Sequence, residues 1–378
     1  MNSVQELDFP AALAAFAATL PDDVIERDKT GAFAADAWHA CADWGLIGMA
    51  VPKEFGGSAK GGIETGVAAM EALGYGVRDL GLVFGLSAQM WTVIMPLVEF
   101  GSDAQKAKYL PALCDGSMIG CHALTEPQSG SDIYSLQTRA EKVDGGYRLT
   151  GQKHLITLAP LADVALLFAT TDPAKGRWGV QGFLVERDSP GYHAGPTRDK
   201  MGLRTVPIGE ITLEDCFVPD ENRIGAAGSG FGIAQRSLEF DRCCILAAQI
   251  GVMRRQVETA VQYARDRKQF GQAIGKFQSV SNRIADMALR LETSKLLLAD
   301  VARRIAAGQP AALQSAMLKL HLSEAFVASS TDLIRIHGGT GYLSDTGVER
   351  DLRDAMGGVL YAGTSDIQRN IIAGLLGL

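Results

Sequence analysis

A polar loop near the middle of the chain has residue types suited to binding a ligand. Residues Cys121–Asp132 read CHALTEPQSGSD and bring hydroxyl-bearing and small side chains together after a short apolar segment. Small residues let backbone N–H groups approach a planar, anionic or polar ligand closely. For a lone Thr-Glu-Pro, an ordinary capped turn would be an equally good interpretation. The length of this loop, and the segments that follow it along the chain, favour a binding site.

A basic segment and a glycine-rich segment lie further along the chain. Arg267–Gln278 (RKQFGQAIGKFQ) places an arginine close to Gln269 and Phe270. A guanidinium group suits a diphosphate because it makes charge-assisted hydrogen bonds to phosphate oxygens. For an isolated arginine, a solvated side chain at a helix end would be the better interpretation. The glycines at 338, 339 and 341 allow a further close approach of backbone to ligand.

Four ordered motifs together resemble the acyl-CoA dehydrogenase family. The loop matches the family's Thr-Glu-Pro-x-x-Gly-Ser-Asp, and Gly151–Thr157 (GQKHLIT) resembles the strand that lies behind the flavin ring. Arg267–Gln278 resembles R-x-x-F-G-x-x-I-x-x-F-Q, and residues 335–370 resemble the C-terminal signature, RIHGGTGYLSDTGVERDLRDAMGGVLYAGTSDIQRN. Members of this family oxidise acyl thioesters with FAD. The resemblance covers nearly the whole chain and implies an FAD-dependent dehydrogenase.

The resemblance also implies which residues contact FAD. The loop and the strand behind it would contact the flavin ring, with Thr157 as a hydrogen-bond partner of the central ring nitrogen. The chain departs from the family at Leu155, where an aromatic often shields the ring, at Leu158, and at Arg335, where Gln is frequent. The residues that the resemblance assigns to FAD are Leu124, Thr125, Ser131, Ile156, Thr157, Arg267, Gln269, Phe270, Arg335, Gly338, Gly339, Thr364 and Asp366.

The usual catalytic base of the family is missing. Where most members carry Glu directly before Gly-Thr-Ser, this chain has Ala362. Alanine cannot accept a proton, although its backbone N–H can still hydrogen-bond a thioester carbonyl. The reaction removes the α-proton of a thioester, and a carboxylate in a dry pocket can accept it because burial raises carboxylate basicity. The resemblance therefore requires a replacement Asp or Glu.

We expect Asp241 to be that replacement. Some relatives, including isovaleryl-type enzymes, place the base on the helix that corresponds to Ser237–Ala247 (SLEFDRCCILA), and the matching position holds Asp241. Asp is one methylene shorter than Glu, which indicates a displaced reaction centre or a bulkier substrate. An ion pair with a neighbouring arginine is the alternative interpretation. Glu239 lies about 200° around the helix and cannot occupy the same site.

The elements that hold these motifs are predicted to form three domains. Apolar residues at three- and four-residue steps predict helices over 1–118, and short alternating runs separated by turns predict a small β-domain over 119–226. Long helical patterns return over 227–378 as a four-helix-type bundle. The predicted class is α+β, mostly α, with an acyl-CoA dehydrogenase-like order of domains.

Local signals refine this prediction. Asp103 is a plausible N-cap for a helix that includes Lys106 and Tyr109. The sequence Asp144-Gly145-Gly146 predicts a β-hairpin. Gly308 lies where a helix C-cap belongs, and Pro310 where a first-turn proline belongs.

Composition excludes several classes of protein. A net charge of −7 over 378 residues argues against nucleic acid as the main partner. The N-terminus lacks a basic start followed by an apolar core, and we find no unbroken apolar run of membrane-spanning length. A cytoplasmic protein without a membrane partner is therefore expected. The six cysteines form no Cys-x-x-Cys pair and the histidines are scattered, so we expect buried free thiols and no metal site.

The predicted function is oxidation of an acyl thioester, carried on CoA or on an acyl carrier protein, in a specialised biosynthetic pathway. Asp241 and the backbone N–H of Ala362 would act in catalysis, and Ser131 and Arg242 would bind substrate. Electrons would pass to an electron-transfer flavoprotein or to oxygen. Because Arg267 would reach the FAD of a neighbouring subunit, a homodimer or homotetramer is implied. A flavin monooxygenase and a non-catalytic assembly protein on the same fold are the alternatives.

Overall fold

The first part of the chain is helical in the computed structural model, which describes residues 9–378. Ala88–Ile94 is a π-helical stretch that joins two helices into one continuous apolar helix, Leu80–Phe100. This helix is long and apolar enough to cross a membrane, but most of it is buried inside the protein, as in the core of a globular domain. The helices of this part are α1 Phe9–Ala17, α2 Val24–Thr30, α3 Ala35–Asp43, α4 Ile63–Gly76, α5 Leu80–Ser87, α6 Met95–Phe100 and α7 Asp103–Cys114.

Ser102, rather than Asp103, caps helix α7. The Ser102 side chain accepts a hydrogen bond from the Gln105 backbone N–H at 3.2 Å. The Gln105 side chain in turn accepts one from the Ser102 N–H at 2.9 Å, which completes a capping box. The prediction for Asp103 is therefore wrong by one residue. Asp103 instead occupies the first turn, where a negative charge suits the helix dipole.

A single mixed sheet forms the middle part of the chain. Its strands follow the order β6-β7-β3-β2-β4-β5-β8, with β1 added in parallel to β4. The predicted hairpin is present, since Asp144-Gly145 joins β2 to β3 and Gly145 has a φ of 72°. The strands are β1 Gly120–Ala123, β2 Arg139–Val143, β3 Gly146–Thr157, β4 Val164–Thr170, β5 Val180–Glu186, β6 Tyr192–Ala194, β7 Ile208–Pro219 and β8 Arg223–Ile224.

Long helices form the last part of the chain. Gly308, with a φ of 64°, follows the end of α9 as predicted, but Pro310 precedes the cap residue Ala311 and is not in the first turn of α10. The elements are α8 Gly230–Asp266, a small hairpin of β9 Lys268–Gln269 and β10 Gln272–Ala273, then α9 Gln278–Ala306, α10 Ala312–His337, α11 Val348–Gly358 and α12 Ser365–Leu375.

Two glycines bring α8 close to the N-terminal helices. A Cβ at Gly74 on α4 would lie 1.9 Å from the carbonyl oxygen of Ala248 on α8. A Cβ at Gly251 on α8 would lie 2.1 Å from the carbonyl oxygen of Glu71. Side chains at these positions would push the helices apart, so glycine is required for this contact. The crossing fixes α8 between the N-terminal helices and α10, which is where the candidate site lies.

Candidate active site

A buried ion pair joins the Thr-Glu-Pro loop to strand β3. Lys153 Nζ donates to Glu126 Oε1 at 2.7 Å, and both side chains are almost fully shielded from solvent. Burial lowers the pKa of Lys153 to about 8, although the Glu126 charge opposes the shift. Burial would raise the pKa of Glu126, but the Lys153 charge and hydrogen bonds to the carboxylate bring it below its usual value. Because each buried charge needs the other, loop and strand are held as one unit.

Backbone contacts complete this connection. Lys153 Nζ also donates to the carbonyl oxygen of Leu124 at 3.1 Å. The backbone N–H of His154 donates to the carbonyl oxygen of Thr125 at 2.8 Å. The structure therefore brings two of the predicted FAD motifs side by side. Ser131 lies on the exposed outer part of the loop.

Strand β3 has an irregular backbone where it passes this loop. Leu155 has a φ of 56° and Leu158 a φ of 66°, and the pairing with β7 shifts register between Lys153 and Ile156. A left-handed backbone is unfavourable for leucine, and such strain concentrates at functional sites. The bend leaves Leu155 55% exposed. Ile156 is buried, so it can reach a cofactor only through its backbone, whereas Thr157 is half-buried.

Asp241 is a buried carboxylate on α8. It is 8% exposed, and its Oδ1 has no hydrogen-bond partner among the described residues. Burial raises its pKa to about 7, although the charges of Arg242 and Lys319 oppose the shift. A buried carboxyl group that titrates near neutrality suits a general base. Within residues 9–378 Asp241 forms no salt bridge, so the structure does not contain the ion pair that was the alternative interpretation.

Arg242 connects α8 to the segment around Ala362. Its Nε donates to the carbonyl oxygen of Ala362 at 3.2 Å, and Gln368 Nε2 donates to the same oxygen at 3.2 Å. On the other side of Ala362, the Tyr361 hydroxyl accepts a hydrogen bond from Gln249 Nε2 on α8 at 2.7 Å. Ala362 has a φ of 53°, which these contacts hold in place. The position of the missing Glu therefore lies against the helix that carries the buried carboxylate.

The predicted diphosphate residues lie elsewhere on the chain. Arg267 follows the end of α8 and is exposed, and Gln269 and Phe270 belong to the β9–β10 hairpin. Phe270 is 92% exposed with a φ of 50°, and its ring meets Phe277 edge-on with the centroids 6.0 Å apart. In the described part of the chain, no hydrogen bond or ring contact joins these residues to the Thr-Glu-Pro loop.

The C-terminal predicted residues occupy two turns. Arg335 is exposed near the end of α10, and a Cβ at Gly338 or Gly339 would meet no atom within 4 Å. The backbone at this helix end therefore faces open space. Thr364 caps α12 by accepting a backbone N–H at 3.2 Å, and Asp366 is exposed in the first turn of α12.

Three family models match the chain in order. They are the acyl-CoA dehydrogenase N-terminal domain over residues 5–117, the middle domain over 121–216 and the C-terminal domain over 228–376. The chain belongs to the acyl-CoA dehydrogenase family. The resemblance and the fold class predicted from the motifs are confirmed.

Individual members of the acyl-CoA dehydrogenase family show more specific similarity. An L-prolyl-[peptidyl-carrier protein] dehydrogenase of Pseudomonas fluorescens is 44% identical over 90% of this chain and 90% of its own length. The solved structure of the prolyl acyl carrier protein oxidase AnaB superposes with a TM-score of 0.97 at 45% identity over 100% of both chains. The structure of PigA with FAD and proline gives 0.96 at 40% identity, over 100% of this chain and 99% of PigA.

The residues of this acyl-CoA dehydrogenase fit FAD. The exposed apolar side chain of Leu155 beside the Thr-Glu-Pro loop offers a surface for a planar ring. Open space at Gly338 and Gly339 leaves room for backbone contact with the cofactor's polar end. The contacts of the remaining predicted FAD residues stay predictions.

Several residues of the site were not selected from the sequence. Glu126 and Lys153 belong to two of the motifs that resemble the family, but only the folded structure shows that they form an ion pair. Tyr361 adjoins Ala362, and that adjacency was an available signal. Gln249 lies two residues after the Ser237–Ala247 segment, which was an available signal, whereas Lys319 lies on a long helix far from any motif. The available signal for Lys319 was a charge on a helix face made of apolar and small polar residues.

Proposed function

We propose that the substrate of this enzyme is an L-prolyl group held as a thioester on a peptidyl carrier protein. The enzyme is an FAD-dependent oxidoreductase that acts on acyl thioesters. The narrower substrate is supported by similarity to an L-prolyl-[peptidyl-carrier protein] dehydrogenase and to AnaB along nearly the whole chain. An acyl-CoA is the competing substrate.

The buried carboxylate of Asp241, next to the segment of Ala362, is the observation that carries the mechanism. Asp241 accepts the α-proton of the thioester. The dry environment makes this carboxylate more basic than an exposed Asp. FAD, when bound, would supply the hydride acceptor for the β-carbon.

The Ala362 segment positions and polarises the substrate. The backbone N–H of Ala362 hydrogen-bonds the thioester carbonyl, which makes the α-proton easier to remove. Arg242 and Gln368 each donate to the Ala362 carbonyl at 3.2 Å, so they fix the peptide that follows the one bearing this N–H. Ser131, on the exposed part of the loop, binds the arm of the thioester.

An aromatic pair limits the size of the acyl group. The ring of Phe84 on α5 packs against Tyr361 with the centroids 4.8 Å apart. Tyr361 is held to α8 and directly precedes Ala362, so the pair lies beside the reaction centre. Two large rings at this point would favour a small acyl group, and a prolyl ring is one such group.

The working enzyme is a homodimer or homotetramer. Arg267, Gln269 and Phe270 lie on the FAD of a neighbouring subunit, and the nearly complete exposure of Phe270 supports a subunit contact at this hairpin. The proposal includes three domains, with boundaries at 1–118, 119–226 and 227–378. The enzyme acts in the cytoplasm, and its electron acceptor is an electron-transfer flavoprotein or oxygen.

Anaerobic flavin bleaching tests this function. The purified enzyme is mixed with L-prolyl carrier protein, with L-prolyl-CoA and with butyryl-CoA, and the loss of flavin absorbance is followed. We expect rapid bleaching with the prolyl carrier protein and much slower bleaching with both CoA esters. Faster bleaching by butyryl-CoA would refute the proposed substrate, and a protein that takes up no FAD would refute the function itself.

A further inference from the structure

A fully buried lysine lies on the helix that packs against α8. Lys319 on α10 has no exposed surface, and its Nζ has no hydrogen-bond partner among the described residues. Its buried neighbours on the same face include the apolar Leu322 and Phe326 and the serines Ser315 and Ser323. An ammonium group has three donors, and burying it without a partner is costly. A lysine kept at such a position therefore needs an explanation beyond packing.

The proposed base is one of the charged groups that interact with this lysine. Burial and then the charge of Arg242 lower the pKa of Lys319 to about 8, whereas the negative charges of Asp241 and Glu324 raise it. The positive charge of Lys319 likewise counteracts the burial that raises the pKa of Asp241. In the described structure the two groups form no salt bridge within 4.0 Å. Lys319 thus stabilises the carboxylate through space without occupying the oxygen that must accept the proton.

Most other charges around Asp241 already have partners. Arg242, its neighbour on α8, donates through Nε to the carbonyl oxygen of Ala362. Glu239 on α8 pairs with Arg236 at 3.1 Å, and Glu324 on α10 pairs with Arg369 at 2.7 Å. Tyr361 and Cys244 are the other titratable residues that interact with Asp241. Both are neutral at pH 7, and burial raises the pKa of the Tyr361 hydroxyl and of the Cys244 thiol further.

We propose that Lys319 is a positioning residue that keeps Asp241 ionised and free to accept the α-proton of the substrate. This proposal rests on the proposed role of Asp241 as the base. Without the lysine charge, only Arg242 would oppose the rise in the pKa of Asp241 that burial causes. The carboxyl group would then remain protonated at neutral pH and would become active only at higher pH.

Lys319→Met tests this proposal, because methionine keeps a similar apolar stem and removes the charge. Flavin reduction by the substrate is measured anaerobically in the FAD-loaded enzyme across the neutral and alkaline range. We expect the apparent pKa of the rate to rise by about one to two units from about 7, with about a 5- to 50-fold slower rate at pH 7. The rate should recover at alkaline pH. Lys319→Arg, which keeps the charge, should stay close to the wild-type profile.

A matched control removes an exposed charge. Lys295 on α9 pairs with Glu292 at 3.0 Å near the surface, and Lys295→Met should leave the pH profile unchanged. An infrared titration of the Asp241 carboxyl group, identified by its absence in Asp241→Asn, gives its pKa without any substrate. That measurement tests the role of Lys319 even if the prolyl thioester is not the substrate.

The proposal is overturned if FAD-loaded Lys319→Met keeps both the wild-type pH profile and the wild-type pKa of Asp241. If Lys319→Met does not fold, Lys319→Gln replaces it in the same measurements. If neither variant folds while Lys319→Arg does, the lysine is required by the fold, and its assignment as a positioning residue is likewise overturned.

Discussion

Replacing Asp241 by Asn should slow catalysis and stabilise the protein at the same time. Asn has nearly the same size and polarity as Asp but cannot accept the α-proton. Loss of a general base typically costs about 100- to 10,000-fold in rate. The variant should still bind FAD and substrate, because Arg242 contacts Ala362 through its own side chain and not through Asp241.

The gain in stability follows from the shifted pKa of Asp241. Burial raises this pKa from 3.8 to about 7, so the folded state holds the proton more tightly than the unfolded state. Stability from this group is therefore fully present below pH 3.8 and is lost as the pH rises through about 7. A shift of about three units corresponds to about 4 kcal/mol above pH 7. Asn carries no such penalty, so we expect Asp241→Asn to be more stable by up to that amount.

Two measurements check this reasoning. Anaerobic stopped-flow absorbance gives the rate of flavin reduction, and thermal unfolding at a series of pH values gives stability. The wild-type rate should rise with pH through about 7. The melting temperatures of wild type and variant should diverge as the pH rises from 3.8 to about 7 and should stay apart by a constant amount above that pH. Flavin reduction at the wild-type rate would show that Asp241 is not the base. Parallel melting curves at all pH values would show that its buried charge has no measurable cost.

Three further variants test other parts of the site. Glu126→Gln removes the charge that keeps the buried Lys153 amine protonated, so it should cost about 3–5 kcal/mol and release FAD, as judged by thermal unfolding and flavin absorbance; a loss below about 1 kcal/mol, typical of exposed pairs, would contradict the rigid loop–strand unit. Arg267→Ala should weaken FAD retention and assembly together in gel filtration, because ligand binding stabilises the assembled state; a fully oligomeric, fully flavin-loaded variant would refute the shared site. Phe84→Ala should open space beside Tyr361 and raise kcat/KM for a larger acyl thioester relative to the prolyl one, and an unchanged ratio would exclude Phe84 from substrate selection.

The family and the residue types at its cofactor site could be predicted from the sequence, because each motif is an unbroken stretch of chain. The Thr-Glu-Pro loop, the strand behind it and the C-terminal signature each lie within a short stretch of chain, so their order alone identified the family. The sequence alone also shows that position 362 has no carboxylate and that position 241 has one. Helix ends are harder to predict from the sequence. The cap of α7 is Ser102 and not the predicted Asp103, because adjacent polar residues differ little in capping preference and the sequence alone does not choose between them.

Only the tertiary structure decided which of these residues meet. Glu126 and Lys153 are far apart in sequence, yet burial makes them one ion pair. Asp241 and Arg242 are adjacent and oppositely charged, which favours an ion pair. Arg242 instead donates to the carbonyl oxygen of Ala362, and Asp241 Oδ1 has no hydrogen-bond partner among residues 9–378. Lys319 approaches it from another helix. Desolvation and charge depend on distances through space, and a pattern along the chain contains no such distances.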